Sequence, residues 1–304
     1  MRILIVGAGA VGGYFGGRLA QSGRDVTFLV RPERARHLRE RGLQILSPHG
    51  NLALSPTLVT SDEIAAPFDV VLLSVKAYAL ESAIDDFAPA VGHETMILPV
   101  LNGMRQLDLL TRRFGSPPVI GGVALIVSEI DDQGRIVQRA EIQQLAYGEL
   151  AGGISARIRS LDAVLQGAGF EAHAAADITQ AMWEKWVQLA SLGAVTCLMR
   201  GTVGNVVAVD GGVELSQQLI DECAAVATAC GHVPSESFMK WHREIMTQIG
   251  SSLASSMYRD MRSGSRVEAE HILGDLIERG AARGVSAPLL KAALVNLRVY
   301  STGR

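Results

Sequence analysis

The chain has 304 residues, 48% of them hydrophobic, and a formal net charge of -3, a length that suits two domains each burying its own core. A weakly acidic chain with scattered lysines and arginines offers no basic field for nucleic acid, and no stretch approaches the roughly 20 uninterrupted apolar residues that span a bilayer, so neither partner is expected. Cys197, Cys223 and Cys230 are odd in number and fall in helix-like stretches, which argues against a disulfide framework and for a reducing, cytoplasmic setting.

The N-terminal twenty residues are apolar enough to imitate a signal peptide, but their glycines and the βαβ pattern that follows predict that they stay on the protein. Short β-branched runs near 2–6, 25–30, 69–75 and 95–99 alternate with amphipathic segments, which predicts helices packed on a largely parallel sheet. Leu43 to Leu58, with Pro48, His49, Gly50 and Asn51 between apolar pieces, reads as a hairpin or ribbon rather than a helix. Val119 to Ile130 reads as a strand, and Asp131 to Gly134 as a turn into another, so mixed strand directions are expected there. A helix at about 154–168 closes this half. Beyond 175 the strand signal gives way to 3.6-residue periods, with Met182, Trp183, Trp186, Leu189, Ala190 and Gly193 on one broad stripe. Further helices are expected at about 213–231, 235–249, 266–283 and 287–301. The expected architecture is an α/β, Rossmann-type dinucleotide-binding domain over 1–174 and an all-helical domain over 175–304.

The strand Arg2 to Val6 runs into Gly7-Ala8-Gly9-Ala10-Val11-Gly12 and then a helical pattern, the order a pyrophosphate site requires. Gly7 permits the tight turn, Gly9 lets the backbone approach phosphate, Gly12 allows close helix–strand packing, and Ala10 joins them as a cofactor-binding candidate. The second strand ends in Arg31, where an NAD site would place a carboxylate. An arginine there can pair with a 2′-phosphate, so NADP(H) is the expected cofactor; the plain alternative is a solvated arginine opening the helix at Pro32. Arg34 could share that phosphate but reads better as an exposed helix arginine. Lys76 follows the buried strand Val70 to Val75 at its carboxyl end, either near the cofactor or as a surface lysine starting a helix over 78–88. Asn102-Gly103 holds the equivalent place after the next strand, either as an amide for nicotinamide or substrate or as an ordinary turn.

These residues resemble the ketopantoate reductase (2-dehydropantoate 2-reductase) family over nearly the whole chain. The resemblance rests on GAGAVGG at 7–13 with Arg31, Ser-Val-Lys at 74–76, Leu-Asn-Gly-Met at 101–104, Trp-Glu-Lys at 183–185, and Ser-Ser-Met-Tyr-Arg-Asp at 255–260 with Glu268 eight residues later. It implies NADPH-dependent reduction of a small 2-keto acid, with ketopantoate and pantothenate biosynthesis as the family's setting. It further implies that Lys185 is the general acid, that Glu268 contacts substrate and orients the lysine, that Ser256 bonds the substrate's polar end, and that Asn102 lies between nicotinamide and substrate. Without the resemblance, Lys185 reads equally as a solvated helix lysine, Glu268 as a helix N-terminal acid and Ser256 as a cap within the Ser251 to Ser256 cluster.

The sequence departs from the family on the lysine's own face. Asparagines usual four and eight positions after the lysine are here Leu189 and Gly193, so apolar surface and empty volume are expected in their place, with a more apolar or bulkier 2-keto acid as substrate. Two other readings are a different NADP-dependent hydroxyacid or imino-acid oxidoreductase, and a non-catalytic NADP-binding protein. The apolar helical half leaves room for a homodimer.

Overall fold

A computed structural model describes residues 1–303. The chain divides into two compact units, one made of Met1–Leu101 and Gln106–Thr179, the other of Asn102–Arg105 and the chain from Gln180 onward.

In the first unit, β1 (Arg2–Val6), α1 (Ala10–Gln21), β2 (Asp25–Leu29) and α2 (Pro32–Arg41) form the opening βαβα run. They are followed by β3 (Leu43–Leu46), β4 (Leu52–Leu54), β5 (Thr57–Val59), β6 (Val70–Leu73), α3 (Leu80–Phe87), β7 (Met96–Pro99) and α4 (Arg105–Phe114). Two long strands, β8 (Gly121–Ile130) and β9 (Ile136–Gly148), then α5 (Ala156–Leu165) and β10 (Glu171–Ala174), complete the unit. The main sheet has the order β5-β2-β1-β6-β7 and is parallel throughout. Its central strands are buried on both faces, as continuous Val/Ile/Leu runs require. Strand order reverses beside β1, which pairs with β2 on one edge and β6 on the other, and the crevice beyond the carboxyl ends of strands at such a point is where open α/β sheets take ligands.

The second sheet is mixed, as the turn at Asp131 to Gly134 predicts. β8 and β9 are antiparallel, with an irregularity between Ile126 and Ser128, and β3 and β10 run parallel to β9. The expected hairpin is β3 with β4, antiparallel. Tyr14, Phe15, Phe28, Ile45, Ile136 and Tyr147 belong to one core cluster in this unit.

The second unit is helical: α6 (Ile178–Met199), α7 (Val203–Val207), α8 (Gly212–Ala229), α9 (Glu236–Met246), α10 (Ser256–Arg262), α11 (Asp275–Ala281) and α12 (Pro288–Thr302). Along α6 the stripe Met182, Trp183, Trp186, Ala190 and Gly193 is buried, and Leu189 partly so. The expected continuous helix over 266–283 differs in form. It begins at Ala269, widens into a π-type turn at Glu270–Gly274 and resumes as α11. The wide turn is braced from both sides, by the Trp186 indole donating to the Ile272 carbonyl at 2.9 Å and by Arg298 gripping the Glu270 carboxylate at 2.7 and 2.8 Å. Local periodicity carries none of these long-range bonds. Among the described residues no helix is long and apolar enough to cross a membrane, and no cluster of His, Cys, Asp or Glu could hold a metal.

Candidate active site

The first unit places a candidate phosphate cradle, the glycine loop, at the carboxyl end of β1. Gly7 adopts φ +97, a left-handed conformation that glycine takes without strain. Gly9 caps α1 without any side-chain bond to the helix N-terminus, and a Cβ on it would meet nothing within 4 Å. The space before the first turn of α1 is therefore open, with Ala10 as the first helical residue. Gly12 is the reverse case: a Cβ there would collide with the Ser74 hydroxyl and the Gly7 carbonyl. Ser74 is the reason for that closeness, since its Oγ donates to the Gly7 carbonyl at 3.0 Å and to the Val6 carbonyl at 3.2 Å, tying the end of β6 to the glycine loop. The cradle thus fits a dinucleotide pyrophosphate: an open approach, a helix N-terminus with positive dipole, and no acidic residue in the first turn of α1.

Arg31 is exposed at the end of β2, where its Nη2 donates to Ser82 Oγ at 3.2 Å; Ser82 in turn donates to the Ala79 carbonyl at 3.1 Å. Lys76 is exposed immediately after β6, before a short 3-10 turn at Ala77–Ala79. Arg34 departs from expectation. It is half-buried, donating to the Ala8 carbonyl at 3.2 Å and the Gly134 carbonyl at 3.4 Å, and the loss of water pushes its pKa down. It tethers the glycine loop to the turn between β8 and β9.

The second unit holds the other group of candidates, because the turn Asn102–Arg105 clusters with it. Lys185 on α6 is half-buried, and desolvation lowers its pKa to about 8. Glu268 is half-buried just ahead of the wide turn, its carbonyl accepting the first helical bond from the Ile272 amide at 3.0 Å. Asn102 is half-buried and precedes Gly103, which takes φ +82.

His271 is the residue that sequence reasoning missed. It is buried, and its ring hydrogen-bonds to the Asn102 backbone. Because that bond raises the ring's pKa, the imidazole N–H is the donor and the Asn102 carbonyl the acceptor. Burial nonetheless outweighs this bond and the nearby Glu268 and Asp275 carboxylates, so the net shift is downward. A histidine inside an apolar helical pattern carries no distinguishing signal on its own.

Two details differ from the sequence reading. Ser255, rather than Ser256, caps α10: its buried Oγ accepts from the Tyr258 amide at 2.9 Å and bonds Thr196 Oγ1 at 2.8 Å. Ser256 is the first helical residue, exposed, and among the described residues its hydroxyl makes no hydrogen bond. The empty volume expected at Gly193 is also absent, because a Cβ there would lie 2.7 Å from the Met257 methyl. The space left by the missing side chain is filled from α10.

Comparison with known proteins identifies the family. The family model "Ketopantoate reductase PanE/ApbA" matches residues 3–152 and its C-terminal counterpart matches residues 177–301. The chain is 36% identical over 301 residues to the uncharacterized oxidoreductase YkpB of Bacillus subtilis, covering 99% of both proteins. A crystal structure of 2-dehydropantoate 2-reductase from Geobacter metallireducens superposes with a TM-score of 0.88 at 28% identity, covering 98% of this chain and 99% of that one. D-mandelate dehydrogenase, solved with NADH and anilino(oxo)acetate, shares the fold at a TM-score of 0.89 and 21% identity, over 100% of this chain and 99% of that one. The chain belongs to the ketopantoate reductase family and is an oxidoreductase acting on a CH–OH group.

Proposed function

We propose that the protein reduces a small 2-keto acid to the corresponding 2-hydroxy acid with NADPH, using Lys185 as the proton donor. The observation that carries this reading is the desolvated Lys185 ammonium, with a pKa near 8, in the same unit as Glu268, Ser256 and Asn102. A solvated surface lysine would keep its ordinary value of 10.5. A lysine poised near neutrality is charged at physiological pH yet gives up its proton readily, as a general acid must.

Gly7, Gly9, Ala10 and Gly12 would hold the cofactor pyrophosphate on backbone N–H groups, with Arg31 on the 2′-phosphate, Lys76 near the phosphates and Asn102 toward the nicotinamide. The cofactor, when bound, supplies the hydride. Lys185 Nζ hydrogen-bonds the keto oxygen, stabilises negative charge as it develops there, and hands over its proton to complete the alcohol. Glu268 keeps the ammonium oriented, while the uncommitted Ser256 hydroxyl serves the polar end of the substrate. The preference for NADPH rests on Arg31 and on the absence of a carboxylate at the end of β2; the same fold holds NADH in D-mandelate dehydrogenase, so the nucleotide depends on these local residues.

The half-buried Leu189, one helical turn beyond Lys185, favours a substrate with an apolar side chain over ketopantoate, whose terminal hydroxyl would lose its partner there. Met257 filling the space at Gly193 removes the argument for extra volume. Initial rates of NADPH oxidation with ketopantoate, 2-ketoisocaproate and phenylpyruvate test the reading. Saturable oxidation with at least one of them, fastest for an apolar side chain, is the expected result; none with any of the three opposes it.

A further inference from the structure

His271 has no part in the proton and hydride steps, yet the fold goes to some length to hold it. Burying an imidazole costs hydration that a leucine of similar volume would not lose, so its retention in a core position calls for a directional bond. That bond is to the Asn102 carbonyl. Gly103 is packed on the same histidine: a Cβ there would stand 3.1 Å from the His271 carbonyl oxygen and 3.5 Å from its ring.

The support beneath the ring is rigid. His271 lies in the wide turn Glu270–Gly274, whose extra residue turns the following side chains by about 100° from their α-helical directions. The turn is pinned at Ile272 by Trp186, the neighbour of Lys185, and at Glu270 by Arg298. Gly274 admits the Glu270 carboxylate so closely that a Cβ would lie 2.8 Å from Oε2. The same bonded frame therefore runs from α6, beside Lys185, through the wide turn to the backbone of Asn102.

We propose that His271 is a positioning residue, which fixes the Asn102-Gly103 turn against the wide turn so that the Asn102 amide is held in register with Lys185 and Glu268. This rests on the reductase reading, in which Asn102 orients nicotinamide and substrate. A reacting group displaced by about 1 Å can cost about 100-fold in rate, so the contribution is large enough to measure without any contact between His271 and substrate.

The experiment compares His271→Leu, which keeps bulk but removes the donor, with His271→Gln, whose amide N–H reaches about as far as the distal ring nitrogen. Each is made alone and with Asn102→Ala, and assayed on whichever of ketopantoate, 2-ketoisocaproate and phenylpyruvate wild type reduces fastest. His271→Leu should lower kcat/KM by about 10- to 100-fold while His271→Gln recovers most of it, with both melting at similar temperatures. In the Asn102→Ala background the His271→Leu penalty should shrink to near nothing, since a residue acting through Asn102 has nothing left to position. Equal losses in the Leu and Gln variants, or a penalty that persists undiminished without the Asn102 amide, would overturn the proposal. If His271→Leu does not fold, the Gln variant with and without Asn102→Ala decides by the same criterion. A wild-type enzyme that oxidises NADPH with none of the three keto acids would instead condemn the reductase reading, whatever the His271 variants do.

Discussion

Replacing Lys185 by methionine should make the protein more stable and nearly inactive, and the size of both effects follows from the structure. The ammonium is partly stripped of water, and its pKa falls from 10.5 to about 8. At about 1.36 kcal/mol per pKa unit, the folded state bears a charge penalty of about 3 kcal/mol, which water reaching the half-buried head trims to roughly 1.5–3 kcal/mol. Methionine fills similar volume without charge and removes that penalty. The sign depends on pH. Between about pH 8 and 10.5 the unfolded chain binds more protons at this position than the folded one, so wild-type stability rises with pH through that window. The advantage of Lys185→Met should accordingly be full below pH 8 and vanish above 10.5. Urea unfolding at pH 7 and pH 10 measures it, and the same samples should show turnover reduced by roughly 10²–10⁴-fold with NADPH affinity kept. Wild-type kcat/KM should itself decline as pH rises past about 8, as the donor loses its proton. A variant that gains no stability at pH 7, or whose advantage is the same at both pH values, would refute the claim that Lys185 is desolvated; one that retains turnover would refute its role as the acid.

Arg31→Ala should weaken NADPH binding by roughly 1.5–3 kcal/mol, the worth of a charge-assisted contact, while sparing NADH; equal losses in fluorescence titrations of the two cofactors would remove Arg31 from the 2′-phosphate. Gly12→Ala should abolish cofactor binding or destabilise the first unit, since its Cβ collides with the Ser74 hydroxyl and the Gly7 carbonyl, whereas Gly9→Ala, whose Cβ meets nothing within 4 Å, should keep the fold and lose affinity for either nucleotide. Thermal melts with and without NADPH separate the two outcomes. Leu189→Asn should raise kcat/KM for ketopantoate relative to 2-ketoisocaproate by roughly 1–3 kcal/mol of restored hydrogen bonding; an unchanged ratio would show that the substrate side chain lies elsewhere.

The main sheet and the glycine cradle were legible in the sequence because their signals are local. A buried parallel strand is a continuous apolar run, and the turn at Gly7 and the helix start after Gly9 lie within the loop itself, although the Ser74 hydroxyl that crowds Gly12 comes from the end of β6. The second sheet was legible only as strands: that β3 and β10 both run parallel to β9 depends on pairings across tens of residues. The long helices of the second unit were legible and the short α7 and α10 were not; the wide turn was not either, because it is held by Trp186 and Arg298, both outside its own segment. His271 was missed for the same reason, since its partner Asn102 is 169 residues earlier and nothing near it announces a role. The Ser255 and Ser256 assignments show how a one-residue difference in a cap exchanges a buried structural hydroxyl for an exposed one. The volume at Gly193 was misjudged because the Met257 methyl that fills it comes from another helix.

The account stands most directly on the fate of the transferred hydride. With NADPH deuterated at the reactive face of its nicotinamide ring and the best 2-keto acid as acceptor, mass spectrometry should find the 2-hydroxy acid carrying one deuterium at C2, formed mole for mole with oxidised cofactor by wild type and barely at all by Lys185→Ala. Cofactor binding without any labelled hydroxy acid, or label appearing only in solvent, would contradict it.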